Sequence, residues 1–372
     1  MKIAMIGQKG IPTLFGGVER HVEEISWRLA KNGHQVFVYA RSYYTPPKTE
    51  KYRGVIIIRL PSVRTKHLDA FTHTFIATWH ALFKIRPEVI HYHGIGSALC
   101  LWIAKLFSPK IKIVFTFHSQ DYFHQKWGKI AQTALRIGEK IGCSLADEIL
   151  TVSLLLQKYV QMKYKRKSSF IPHGVNQEKY LPANLIKKWG LKKNSYILVV
   201  TRLIPHKGVH YLIKAYRGIK TDKKLVIVGP SFYTRDYERK LKEMAKNNSK
   251  IIFVGAQQGN ILKELYSQAY LFTSASEQEG LPLNVMEAAS FGRPLLLSNI
   301  PEHQNIFGDL PVFFKNKNVR DLRKKLIFIL QNPQMACQKG KKIQEYGQKN
   351  YDWDKSVKQI ISVYNKSTIL LN

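Results

Sequence analysis

At 372 residues the chain is too long for one hydrophobic core, which stops growing at roughly 250–300 residues, so two domains are expected. A hydrophobic share of 45% excludes a disordered chain, and three scattered cysteines, Cys100, Cys143 and Cys337, with no CxxC, exclude a disulfide framework and fit a reducing cytoplasm. The 59 Lys plus Arg against 25 Asp plus Glu leave a net charge of +34, which demands anionic company: nucleic acid, anionic lipid or a phosphorylated substrate.

The N-terminal run MKIAMIG is too short for a signal peptide's apolar region and reads as a first strand, 2–6. Further Val- and Ile-rich strands are predicted at 35–40, 54–60, 89–93, 112–118, 148–153 and 169–172. Their continuous apolar character indicates parallel strands covered on both faces. Between them, a helix from Gly17 carries Val18, Val22, Ile25 and Leu29 on one stripe and closes at Gly33. A second, with Asp69 as its N-cap, carries Phe71, Phe75, Trp79 and Phe83, a stripe read as core. A third covers about 127–146.

The stretch 174–195, with Pro182 and no strong periodicity, reads as a linker. Strands then return at 196–203, 224–229, 251–255, 270–276 and 294–298, with helices near 207–218, 236–247, 259–268, 282–291, 319–331 and 334–348. No window approaches the roughly 20 apolar residues needed to span a bilayer. The βαβα order predicts an α/β protein of two Rossmann-like, doubly wound domains, 1–175 and 176–350, facing a central cleft. The segment 351–372 is a final helix able to cap its own domain or to cross back to the first.

Open α/β sheets bind ligands at the carboxyl ends of their strands, and the candidate residues lie there. Gly16 and Gly17 open a helix after the first strand, where free N–H groups and the helix dipole suit a phosphate. The dinucleotide fingerprint GxGxxG is absent. Arg202 and Lys207 follow the strand YILVV and suit one strongly anionic group, such as a pyrophosphate. Glu279 lies in the loop after a strand. Glu287 lies on the following helix, on the face of Leu283 and Met286, where two vicinal ribose hydroxyls would satisfy its carboxylate. His118 ends a strand with Asp121 just beyond, placed to hydrogen-bond a sugar or move a proton. His91, His93 and His173 also lie at or near strand ends, but no HxxE or HExxH spacing accompanies them, and no metal is expected.

These residues carry a family resemblance. GGVE (16–19), IPHGVN (171–176), RLIPHKG (202–208) and above all EGLPLNVMEA (279–288), an E-x7-E motif, resemble the family-4, or group 1, glycosyltransferases over nearly the whole chain. The opening IGQKGIPTLFGGVERHVEEI and the stretch TFHSQDYFHQKWGK (116–129) are similar to a rhamnosyltransferase-like subgroup of cell-surface polysaccharide synthesis. The resemblance implies a GT-B fold, a nucleotide-diphosphate sugar donor bound mainly by the second domain, and retention of configuration with neither metal nor other cofactor. Carried over by residue, Arg202 and Lys207 would neutralise the diphosphate and Glu287 would bind the ribose. Glu279, with Gly280 and Leu281 beside it, would contact the donor sugar. Gly16 and Gly17 would meet the phosphates and His118 the sugar, with Asp121 and His173 on the acceptor side. The chain departs from the subgroup's His-Gly-Leu-Asp at His118-Ser119-Gln120-Asp121, which removes backbone freedom there.

The expected reaction is hexosyl or deoxyhexosyl transfer to a hydroxyl acceptor, a sugar or a lipid-linked glycan, at the cytoplasmic face of the cell membrane. One competing reading is a GT-B-like sugar-nucleotide epimerase; a phosphorylase would need pyridoxal phosphate, for which no lysine is marked. The other is a non-enzymatic basic protein bound to nucleic acid or anionic membrane. No helix-turn-helix, zinc finger or RNP motif supports nucleic acid. An anionic membrane surface is compatible with the enzyme, because Lys158, Lys163, Lys165, Arg166 and Lys167 gather next to aromatics in 158–167.

Overall fold

The computed structural model describes residues 1–14, 16–47, 49–123, 127–176, 180–231 and 234–366. They form two compact units, one of residues 1–174 together with the segment from Trp353 and the other of Val175–Asp352.

The first unit is built on eight strands: β1 (Lys2–Ile6), β2 (Gln35–Arg41), β3 (Lys51–Tyr52), β4 (Val55–Leu60), β5 (Val89–His93), β6 (Lys112–Phe117), β7 (Glu148–Thr151) and β8 (Ser169–Phe170). Their order is β3-β4-β2-β1-β5-β6-β7-β8, parallel apart from the β3–β4 pair. Chain order reverses between β1 and β5, where Ile3 pairs with Val89 and Ile6 with Tyr92. Ile3, Ala4, Met5 and Ile6 are wholly buried, the two-sided cover that their unbroken apolar run predicts.

Helix α1 (Gly17–Lys31) buries Val22, Ile25 and Leu29 and closes at Asn32–Gly33, with Gly33 at φ +82°. Helix α2 (Asp69–His80) corrects two expectations. Asp69 is its first residue and not its cap; its carboxylate is engaged by Arg41 at 2.5 Å and by the hydroxyls of Tyr43 and Ser62 at 2.6 Å. The Phe71, Phe75, Trp79, Phe83 stripe is not core. The helix turns His73, Thr74, Ala77 and Thr78 inward and leaves Phe71 and Phe75 exposed, as is Phe83 in the π-helical turn Ala81–Ile85 that continues it. The inward side packs against β1, β4 and the neighbouring helices, where His73, Thr74, Ala77 and Thr78 are closely enclosed.

The last helix, Trp353–Asn365, packs against α1 and buries Trp353, Val357, Ile360 and Tyr364 in the first unit. Arg28 on α1 reaches Asp354 at 2.9 Å, and the Ser356 hydroxyl donates to the Pro172 carbonyl at 2.8 Å.

The second unit holds β9 (Tyr196–Val200), β10 (Lys224–Val228), β11 (Ile251–Gly255), β12 (Leu271–Ser274), β13 (Leu295–Ser298) and β14 (Val312–Phe314). The sheet is parallel, in the order β11-β10-β9-β12-β13-β14, and reverses between β9 and β12. Much of the expected linker is not a linker. A 3-10 turn over Leu185–Trp189 buries Ile186, and Leu191 follows into the same core. Glu264 fixes this segment by accepting the backbone amides of Asn184, Leu185 and Ile186. A segment without periodicity is thus packed by one carboxylate satisfying amides that lack sheet or helix partners. Strands β3 and β14 and the helices Leu101–Phe107, Leu154–Tyr164 and Pro301–Phe307 go beyond the elements the sequence pattern indicates; most of them are short, and short segments carry little periodicity.

Candidate active site

The candidate residues of the second unit lie where strand order reverses, where adjacent chain exits diverge; in the first unit Gly16 and Gly17 follow β1 at the reversal, whereas His118 follows β6 and His173 lies beyond β8. In the second unit, Arg202 and Lys207 leave the end of β9, and Glu279 leaves the end of its neighbour β12. Gly208, at φ +66°, makes the approach of these loops possible, since a Cβ there would lie 2.0 Å from the Ala275 carbonyl oxygen. Lys207 Nζ then donates to Glu279 Oε1 at 2.5 Å, with both side chains about nine-tenths buried.

Burial alone would raise the Glu279 pKa, but Lys207, His303 and a hydrogen bond from Ser276 outweigh it and hold the carboxyl at about 2. Lys207 is pulled below its ordinary value by burial and by the nearby Arg202 charge, against the opposing pull of Glu279. Burial likewise raises the Glu302 carboxyl and lowers His303 to about 4. The Arg202 guanidinium has no ion-pair partner among the described residues and acts on Lys207 from nearby, as does Glu302, a second carboxyl close to the pair.

Glu287 is half-buried on the helix Leu283–Ser290 and accepts the Tyr266 hydroxyl at 3.0 Å. Leu281 packs on the apolar core beside that helix, and Gly280 lies in the bend before it. Glu277 is an acid the sequence reading passed over. It accepts the Tyr211 hydroxyl at 2.9 Å and pairs with Lys317 at 3.0 Å.

In the first unit, Gly16 has φ +111° and begins α1 with no side-chain cap. A Cβ on Gly16 would meet Glu19 Oε2 at 1.9 Å, and Glu19 Oε1 accepts the Lys9 amide at 3.1 Å. The helix N-terminus therefore already has a carboxylate close by, the kind of group its dipole favours. Asp121 accepts the Ser119 hydroxyl at 2.7 Å. Ser119 is not among the residues with positive φ, so the serine that replaces the subgroup's glycine sits in ordinary backbone.

The histidines converge. His118 Nε2 lies 3.3 Å from His93 Nδ1, and the His21 ring is 4.9 Å from His118 and 4.5 Å from His173. His91 is held by Thr116 at 2.6 Å and Tyr364 at 2.7 Å, and its pKa falls to about 3 through burial. Burial first, and then mutual repulsion, keeps His21, His93, His118 and His173 neutral at pH 7. Both nitrogens of His21 and His173 and Nδ1 of His118 lack a hydrogen-bond partner among the described residues. His21, His93 and His118 each offer a ring nitrogen within 4.8 Å of the others, a spacing able to hold a metal ion. His21 was missed because on α1 it shares the buried stripe of Val22 and Ile25, and linear spacing does not reveal a group assembled from α1, β5 and β6.

The family model described as Glycosyltransferase Family 4 matches residues 15–179, and the one described as Glycosyl transferases group 1 matches 183–350. The chain belongs to the family-4, group 1 glycosyltransferases. An uncharacterised glycosyltransferase of Methanocaldococcus jannaschii is 25% identical over 327 residues, 81% of each chain. The glycosyltransferase is also similar to the UDP-Gal:alpha-D-GlcNAc-diphosphoundecaprenol alpha-1,3-galactosyltransferase of Escherichia coli, 32% identical over 247 residues, 61% of this chain and 62% of that one. Among solved structures, sucrose-phosphate synthase from Thermosynechococcus elongatus covers 98% of both chains with a TM-score of 0.84 at 22% identity, which gives this glycosyltransferase the GT-B fold. No helix among its described residues is long and apolar enough to cross a membrane.

Proposed function

We propose that this glycosyltransferase moves a hexose or deoxyhexose from a nucleoside-diphosphate sugar to a hydroxyl of a lipid-linked glycan, with retention and without a metal, in cell-surface polysaccharide synthesis. The observation that carries the reading is the buried Lys207–Glu279 pair with Arg202 beside it, at the strand-order reversal of the second unit. Two fixed cations in a low-dielectric pocket stabilise charge that grows on a leaving diphosphate, the work a metal does in other enzymes. The bond from the anomeric carbon to the phosphate oxygen breaks, the acceptor oxygen bonds to that carbon on the same face, and the acceptor proton passes to the leaving phosphate. Glu279 and Glu287 contact the sugar and the ribose, and Gly280 and Leu281 shape the turn between them. The parts assigned to Gly16, Gly17, His118, Asp121 and His173 rest on the family resemblance. The name of the galactosyltransferase relative supports both a nucleotide-sugar donor and a diphospholipid-linked acceptor.

A panel of UDP-, GDP- and dTDP-sugars identifies the donor, because a ligand that binds only the native state raises the melting temperature. The selected donor is then assayed with lipid-linked glycan acceptors, with and without EDTA. Transfer with retention at unchanged rate in EDTA is expected. Loss of rate restored by a divalent ion would contradict the metal-independent reading and turn attention to His21, His93 and His118. Donor epimerised in the absence of any acceptor would make the protein an epimerase.

A further inference from the structure

Helix α2 is amphipathic in the opposite sense to a core helix. His73, Thr74, Ala77 and Thr78 face inward, while Phe71 and Phe75, with Phe83 in the turn Ala81–Ile85 that continues the helix, are 41%, 42% and 58% exposed. Their rings are continuous: Phe71 to Phe75 is 6.3 Å, Phe75 to Trp79 is 6.2 Å, and Trp79 stacks on Phe83 at 5.4 Å. Trp79 also touches Phe107 at 4.9 Å, which extends the stripe onto the helix Leu101–Phe107, where Trp102 and Leu106 are exposed as well. An apolar surface this continuous marks an interaction site.

The charge around the stripe has one sign. From Val63 to Arg86 the chain carries Arg64, Lys66, Lys84 and Arg86 against a single acid, Asp69, which Arg41 already pairs. On the Leu101–Phe107 side Lys105 is paired with Asp147 and Lys112 is buried against the Lys366 carbonyl, so Lys110 is the cation that remains there. A second copy of this chain would set like charge against like charge. An anionic bilayer offers both partners at once, an apolar layer for Phe and Leu and negative headgroups for Lys and Arg, with Trp at the boundary.

We propose that the outward face of α2 and of Leu101–Phe107 docks this enzyme on an anionic membrane surface, with the aromatic stripe lying in the interface plane. The inference deepens the reading of a lipid-linked acceptor and rests on it for its purpose, though not for its test. It also moves the contact away from 158–167. There Lys163 is paired with Glu139 at 2.8 Å and Arg166 donates to the carbonyls of Ser144 and Ala146, so two of the segment's five cations are committed within the fold, and no exposed aromatic stripe among the described residues accompanies the exposed Lys158, Lys165 and Lys167.

The test is co-sedimentation of the full chain with vesicles of phosphatidylcholine alone or mixed with phosphatidylglycerol. Binding to the mixed vesicles, weakened by salt, is expected. The double variant Phe75→Ser/Phe83→Ser should partition at least about tenfold less, as should Lys84→Glu/Arg86→Glu. The substituted side chains are exposed, so both variants should keep the parent's melting temperature and its shift with nucleotide sugar. Three results would overturn the proposal. One is a serine variant that partitions like the parent. Another is loss of binding only in Lys158→Ser/Lys165→Ser/Lys167→Ser. The third is a parent dimer, made monomeric by the serine substitutions, with no vesicle binding. Failure to bind vesicles with the donor response intact would leave the glycosyltransferase reading standing, whereas loss of the donor response with vesicle binding intact would count against that reading alone.

Discussion

Lys207 and Glu279 are each expensive to bury alone, and each makes the other tolerable. In Lys207→Ala the Glu279 carboxylate stays buried without its cation, at a cost of about 3–5 kcal/mol. Under the proposed leaving-group role of Lys207, transfer should fall by roughly 10²–10³ in kcat. Steady-state kinetics with the identified donor, alongside a melting curve, separate the two effects; near-normal turnover would sink the leaving-group role. The folded Glu279 pKa of about 2 lies below the ordinary 4.5. Its contribution to stability is therefore fully present above pH 4.5 and is lost as pH falls from there toward 2. The acids and cations of this site were legible because each stands at a strand exit. Their pairing was not, because it depends on β9 and β12 being neighbours although some 70 residues of chain separate their exits.

At the scale of elements, α1, β5, the end of β6 and the segment at His173 bring five imidazoles into one buried group. Their folded pKa values lie below 6.5, so the unfolded chain binds protons at a pH where the folded chain does not. Stability should be complete above about pH 7 and should decline as pH falls through 6.5, by up to about 1.4 kcal/mol per pH unit for each such histidine. Melting temperatures measured from pH 7.5 to 5.5 check this; a flat profile would mean that the rings are hydrated or protonated in the native state. Helix α2 shows the limit of periodicity at this scale. Its pattern separates an aromatic face from a face of His73, Thr74, Ala77 and Thr78, but which face meets the protein depends on the space left by β1, β4 and neighbouring helices. Hydrophobicity alone assigned the wrong one.

At the scale of the molecule, the segment from Trp353 completes the first unit although it follows the second in sequence. A chain ending at Asp352 would expose the partners of Trp353, Val357, Ile360 and Tyr364, each burial worth about 1.5–3 kcal/mol. It would also leave His91 without the Tyr364 hydroxyl. The truncated protein should lose the calorimetric transition of the first unit and become open to proteolysis there, while the second unit keeps its own transition. Equal resistance of both units would contradict the packing.

The sequence by itself determined the two α/β halves, their parallel sheets and the motifs at the strand exits. These follow from apolar runs, glycine positions and helix periodicity, all of which act within a few residues along the chain. Only the tertiary structure decided that Lys207 meets Glu279, that His21 joins His93, His118 and His173, that Glu264 pins what read as a linker, and that the α2 aromatics face outward. Each depends on which distant strands and helices become neighbours, and the energy that settles it lies in contacts between segments that no local pattern records.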